Sequence, residues 1–327
     1  MSQQCRAFQV GLSGVAGVLP ERQRDLNELA AAGLLTSSPQ TLSEFGFGAA
    51  YVADSSHAAE AMALAAARAA LDDAGLEPSE IDLVIWASAR PENHLRRADR
   101  ASSDPAPDFM DGFRYASAWL QDALELHNAE VMAVAQQGCS TMFGAVRLAR
   151  ALLLDEPRRQ HALCVGVDIL PDGAPREILY NVISDAACAL VLSRDCPTDR
   201  WIGYRQISRG YYWDPVASRN EIVAAYFPTA KTLIQQLLAE HDVAPDQIDV
   251  VVPTGVNRAS WEILLRLVGI PQDRLYCDLP SFGHTMTSDN FLYLQALRQG
   301  GRVPAGSRML LFTYGFGSSW CGILLEH

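Results

Sequence analysis

"LEPSEIDLVIWAS", residues 76–88, returns at residues 243–255 as "VAPDQIDVVVPTG", an offset of 167 positions. Each copy carries a short run rich in branched apolar residues, which reads as a buried strand. The repetition continues downstream. "GCSTMFGAV" (138–146) occupies the place of "GHTMTSDNF" (283–291), an offset of 145, and "HALCVGV" (161–167) parallels "RMLLFTY" (308–314). In both copies the order is strand, helix, glycine plus reactive residue, helix, strand. Self-similarity of this kind marks two related halves, which we place at 1–195 and 196–327. The offset shrinks by 22 residues between the first pair and the second, so the first half carries an extra loop. The polar, proline-containing stretch "RPENHLRRADRASSDPAPDFMDG" (90–112) fits it. The repeat sets Cys139 and His284 at equivalent turns, facing each other across a pseudo-dyad.

The remaining segments alternate in the same manner. Helices are expected at 58–75, where an alanine-rich run stops at Gly75, at 113–126, after Cys139, at 227–240, 258–268 and 288–298. Strands are expected at 81–88, 129–135, 161–170, 186–195, 248–255 and 308–315, with a strand or turn at 275–281. Such βα alternation implies an α/β fold whose sheets are covered on both faces.

Composition narrows the function. The chain of 327 residues is 49% hydrophobic and 20% charged, with a formal charge of −12, which argues against nucleic acid as a partner. No uncharged apolar run is long enough for a membrane span. The start "MSQQCRAFQVGLSGV" lacks the basic and apolar regions of a signal peptide. A cytoplasmic protein is the expectation. Seven cysteines stand at 5, 139, 164, 188, 196, 277 and 321 with no CxxC pair. Neither a disulfide framework nor a zinc site or other metal centre is expected. Cys164, within "HALCVGV", reads as a small core residue.

Cys139 differs from the others. It follows a glycine and opens the apolar run "STMFGAVRLARALL". Unpaired backbone N–H groups and the positive end of a helix stabilise a thiolate. Such a thiolate can attack a thioester carbonyl and hold the acyl group. A helix this poor in polar residues is expected to be central and buried, holding the thiol rigidly. On the opposite side, "SFGHTMTSDN" offers His284, with Asp289 five residues later either as a carboxylate that orients the imidazole or as a helix cap. The glycine-rich turn of Gly315, Phe316 and Gly317 can aim a backbone N–H at a developing oxyanion, alongside that of Cys139.

With these segments in place the chain resembles the thiolase superfamily, and within it the β-ketoacyl-acyl-carrier-protein synthase III-like proteins. The resemblance runs through "AAARAALDDAGLEPSEIDLVIWASARPE", "QQGCSTMFGAVRLARALL", "VGVDIL", "ISDAACALVLS", "VVPTGVNRA", "FGHTMTSDNFL" and "GFGSSW". It implies a thiolase-like, five-layered αβαβα fold built from two related halves, and a homodimer, with a heterodimer with a homologue as an alternative. It implies no permanently bound cofactor; the substrate would be an acyl-CoA or an acyl-phosphopantetheine carrier, with acyl carrier protein as a partner. The condensing members of the family use Cys, His and Asn. The Cys corresponds to Cys139. The family His position holds Thr254, in "VPTGVN", and the family Asn position holds His284, in "GHTM". Asp185 stands at a position that reads as structural. Arg258 and Arg266 offer a basic spot for phosphopantetheine or a carrier helix, and "HLRRADR" (94–100) offers another.

The altered triad directs the functional expectation. A decarboxylative condensation stabilises an enolate with the His and Asn side chains, and here that pair is broken. An imidazole near an acyl-cysteine suits removal of a proton from an incoming hydroxyl or amine. The expected activity is acyl transfer to a heteroatom, in secondary metabolism or fatty-acid-related biosynthesis. The alternatives are a decarboxylative Claisen condensation, hydrolysis of the thioester, and a non-catalytic subunit beside an active homologue.

Overall fold

The computed structural model describes residues 9–53, 58–90, 110 and 113–327. Cys5, nearly all of the expected extra loop and the basic cluster at 94–100 lie outside the described residues. In chain order the elements are β1 Val10–Val18, β2 Gln23–Asp25, α1 Leu26–Ala31, α2 Pro39–Glu44, β3 Ala49–Tyr51, α3 Ala58–Ala74, β4 Leu83–Ala87, α4 Ala116–Ala123, β5 Glu130–Val134, α5 Thr141–Asp155, β6 His161–Asp168, β7 Glu177–Ile178, β8 Asn181–Val182 and β9 Ala186–Arg194. There follow β10 Arg200–Ser208, α6 Arg219–Glu240, β11 Val250–Val252, α7 Arg258–Val268, α8 Leu279–Phe282, α9 Asp289–Gln299, β12 Arg308–Gly315 and β13 Ser319–Glu326.

Among the described residues nine strands pair in the order β11-β12-β13-β10-β1-β9-β6-β4-β5. The order is symmetric about its middle. From β4, a parallel step leads to β6 and antiparallel steps lead to β9 and β1. From β11, a parallel step leads to β12 and antiparallel steps lead to β13 and β10. The two sets touch edge to edge at the single pair Gly11–Arg200 of β1 and β10. Beyond β4 lies β5, also parallel. Its counterpart beyond β11 is reduced to one bridge between Val251 and Leu275, and α8 follows it. The expected strand or turn at 275–281 is thus a bridge and a short helix.

Strand alternation builds the layers. In β4, Leu83, Ile85 and Ala87 join a central core with Met142, Phe143, Ala145, Val146 and Ala149 of α5 and Phe291, Leu292 and Leu294 of α9. Val84 and Trp86 face the other way, into a core shared with α3 and α4. In β12, Met309 and Leu311 join the central core while Leu310 and Phe312 pack under α6 and α7. The five layers are therefore α3 with α4, a sheet, α5 with α9, a sheet, and α6 with α7. The alanines of α3 are explained here. Ala63, Ala66, Ala67 and Ala70 are fully buried, and a Cβ on Gly14 of β1 would lie 2.1 Å from the Ala70 carbonyl oxygen.

Several expectations shift. The apolar helix α5 is central, but it is not buried all round: Arg147, Ala151 and Asp155 are exposed on one side. Helix α6 begins at Arg219, eight residues before the expected 227, and runs through Pro228. The strand expected at 248–255 pairs only over Val250–Val252, and the helix expected at 113–126 spans Ala116–Ala123. Among the described residues no helix is long and apolar enough to cross a membrane.

Candidate active site

After β5 the chain turns sharply. Gln136 has φ +67° and Gly138 φ +54°, and Gly138–Ser140 form one tight helical turn that leads into α5. Cys139 therefore sits one turn ahead of the α-helix rather than on its first residue. Two hydroxyls hold the turn: Ser140 Oγ donates to the Gln137 carbonyl and Thr141 Oγ1 to the Gly138 carbonyl, each at 2.7 Å. The β12–β13 hairpin presses on the same turn. A Cβ on Gly315 would lie 1.8 Å from the Gln137 carbonyl oxygen, and one on Gly138 would lie 2.5 Å from the Phe316 nitrogen. Glycine at both positions lets the two backbones touch, so the structure brings Gly315, Phe316 and Gly317 against the cysteine turn. A cavity of about 210 Å³ borders it, lined by Gln137, Gly144, Arg147, Leu148, Ala151 and Gln206.

His284 enters from the second half of the chain. Its backbone is pinned to the end of β8 and the residues just after it: its N–H donates to Val182 O, and its carbonyl accepts from Ser184 N, both at 2.8 Å. The ring then spans two partners. Nε2 lies 3.5 Å from Cys139 Sγ, and Nδ1 lies 2.5 Å from Asp289 Oδ2.

Asp289 is the first residue of α9 and is fully buried. Besides His284, its Oδ2 accepts from Thr254 Oγ1 at 2.8 Å and Gly255 N at 2.6 Å. Its Oδ1 accepts from Thr285 N at 2.6 Å and Thr285 Oγ1 at 2.8 Å. These bonds run back to residues 254–255 and 284–285, so the carboxylate serves the histidine segment, while the helix start still favours its negative charge. Burial opposes charge on both members of the pair. For His284, the Asp289 carboxylate and then Cys139 outweigh that penalty and hold the imidazole well above its ordinary range. For Asp289, His284 and the amides of Thr285 and Gly255 hold the carboxyl below its usual value.

The other positions singled out in the sequence fall into place around this row. Thr254, just beyond β11, meets the carboxylate rather than the sulfur. Asp185 is fully buried and bound by the Arg176 guanidinium at 2.5 and 2.9 Å, with Ala53 N and Leu170 N also donating to it. Arg258 and Arg266 lie on the outer helix α7. Arg258 pairs with the Glu262 carboxylate at 3.1 Å and Arg266 donates to the Glu262 carbonyl; the structure does not bring either to the Cys139–His284–Asp289 row. Cys164, Cys188 and Cys321 are buried, and burial pushes their thiols up, to about 12 for Cys188 and about 11 for Cys321.

Two supports escape the sequence reading. Thr285 shares its doublet of donors with Asp289, and only its place beside His284 hints at this. Asp168, fully buried at the end of β6, accepts from Ser88 Oγ at 2.9 Å, Ala89 N at 2.8 Å and Thr287 N at 3.2 Å, and also from Thr287 Oγ1. It thereby ties the turn before α9 to the first sheet.

Comparison with known proteins adds the family context. Residues 238–327 match the model of the 3-oxoacyl-[acyl-carrier-protein (ACP)] synthase III C-terminal family. The β-ketoacyl-[acyl-carrier-protein] synthase III of Rhizorhabdus wittichii is 26% identical, over 94% of this chain and 96% of its own. Among solved structures, the 3-oxoacyl-[acyl-carrier-protein] synthase III of Aquifex aeolicus superposes with a TM-score of 0.81 at 19% identity, covering 97% of this chain and all of the other. ChlB3, an acyltransferase, superposes with a TM-score of 0.80 at 20% identity, covering 97% of each. The fold is the thiolase-like one that the resemblance implies.

Proposed function

We propose that this chain, a β-ketoacyl synthase III-like protein of the thiolase superfamily, is an acyltransferase that takes an acyl group from a CoA or carrier-protein thioester onto Cys139 and passes it to a hydroxyl or amine. The observation that carries this reading is the row from sulfur to imidazole to carboxylate, at 3.5 and 2.5 Å. In that row Asp289 holds the Nδ1 proton and leaves Nε2 facing the sulfur. In the first half-reaction the raised imidazole of His284 already carries the Cys139 proton, and the sulfur attacks the thioester carbonyl as a thiolate. The tetrahedral intermediate collapses, and the departing thiol leaves with that proton. In the second half-reaction the acceptor O–H or N–H gives its proton to Nε2 as it attacks the acyl-cysteine. The ester or amide forms, and Cys139 recovers the proton as it leaves. The amides of Cys139 and of the Gly315–Gly317 turn stabilise both oxyanions.

Acyl transfer is favoured over decarboxylative condensation because the hydroxyl of Thr254 is engaged with Asp289 and, among the described residues, His284 alone sets an imidazole against the sulfur. The names of the synthase relatives favour the condensing alternative, and an assay offering both kinds of second substrate separates the two. We also propose a homodimer. Among the described residues β5 is the last strand of the sheet, with Val131 and Ala133 exposed along it. An apolar open edge of this kind is covered when a second copy adds its own strand. No permanent cofactor is part of the proposal.

A further inference from the structure

Asp289 can orient His284 only if the carboxylate itself cannot turn. Of its donors, His284 and Thr285 belong to the same short segment, residues 284–289, and would move with it. The donors from elsewhere are Thr254 Oγ1 and Gly255 N, just beyond the end of β11. That end is fixed independently. The Thr254 carbonyl accepts from the buried Trp261 indole N–H at 3.0 Å. One residue after Asp289, the Asn290 amide donates to Val252 O at 2.8 Å and Phe312 O at 3.0 Å, clamping α9 to β11 and β12. Thr254 is 1% exposed, so water does not substitute for its hydroxyl.

We propose that Thr254 is a positioning residue whose hydroxyl locks Asp289 Oδ2 to the second sheet and thereby sets both the aim and the basicity of His284. The inference rests on the acyl-transfer reading only for its effect on rate. Its effect on the imidazole stands without it. Three donors share Oδ2. Each draws charge from that oxygen and weakens its hold on the imidazole proton. Losing the hydroxyl leaves a more basic carboxylate and a His284 that gives up its proton less readily. The groups facing the pair do not mask this. Cys139 faces His284 from the turn before α5. Cys188 of β9 and Tyr293 of α9 feel the Asp289 charge, and Tyr314 of β12 feels Cys139. Burial pushes Cys188, Tyr293 and Tyr314 up, so they are neutral near pH 7.

The test compares the full-length wild type with Thr254→Val, which keeps the shape and removes the hydroxyl, and Thr254→Ser, which keeps the hydroxyl. Thr254→Ala stands in if the valine variant fails to fold. The ring resonances of the seven histidines are titrated by NMR, with His284 assigned by its loss in His284→Gln. The His284 midpoint is expected to rise by about one pH unit in Thr254→Val and to return to within about 0.3 unit of wild type in Thr254→Ser. Acceptor-dependent turnover at pH 7 is expected to fall about tenfold in kcat with little change in KM, its pH profile moving to the alkaline side. A His284 midpoint that is unmoved or lower in both Thr254→Val and Thr254→Ala overturns the inference. If the wild type transfers no acyl group to any acceptor, the acyl-transfer reading fails, and the titration still decides this one.

Discussion

At the scale of single residues, one buried carboxylate organises the proposed site. Asp289 faces inward from the start of α9 and spends both oxygens on donors from two segments of the chain. A charge held this way costs little only while its partners stay in place. His284→Ala is expected to slow acceptor-dependent turnover by about 10²–10⁴-fold, measured as steady-state kcat. Asp289→Asn removes the charge and also turns an NH2 toward a backbone N–H that now donates to a carboxylate oxygen, so it should lower turnover and stability together. The pair also couples to stability. The folded imidazole is raised, so its contribution is fully present below about pH 6.5 and lost as pH rises through the folded value. The folded carboxyl is lowered, so its contribution is present above about pH 3.9 and lost as pH falls through the folded value. The stability difference between wild type and His284→Gln, from urea unfolding across pH, should be largest between these limits and shrink on both sides. The sequence places Cys139 and His284 opposite each other because each stands at the same turn of a repeated unit. The Thr254 contact is invisible there: hydrogen bonds between residues 35 apart leave no local pattern.

Among the elements, the hairpin joining β12 to β13 and the turn before α5 act as one piece. Their backbones approach so closely that neither Gly315 nor Gly138 has room for a methyl group. Gly315→Ala is expected to cost about 1–3 kcal/mol of unfolding free energy and to slow self-acylation, read together from denaturant melts and the burst of thiol release. A variant as stable and as readily acylated as wild type would show that the turns need not touch. The elements with a strong apolar run, such as β4, β6, β9 and β12, are legible because a covered strand must be apolar on both faces. The sequence leaves β1, β10 and β13 unassigned. β1 is broken by glycines at 11, 14 and 17, and β10 is mostly half-buried at the seam between the two sheets.

For the whole molecule, the repeat becomes a symmetric sheet order whose two ends differ. One end finishes in β5, and the other dwindles to the bridge at Leu275. The open β5 edge predicts a dimer, and Val131→Lys combined with Ala133→Lys should convert it to a monomer in sedimentation velocity experiments. A wild type that is monomeric at micromolar concentration would contradict that assembly. The central claim is that a Cys139 acyl group is passed to a heteroatom. It is tested most directly by preparing the acyl-enzyme, confirming by intact mass and peptide mapping that Cys139 carries the adduct, and then supplying either a malonyl thioester or a panel of hydroxyl and amine acceptors. The account predicts that the adduct discharges onto an acceptor as ester or amide, with no CO2 released from the malonyl thioester. A β-keto product with CO2 release, and no ester or amide from any acceptor, would contradict it.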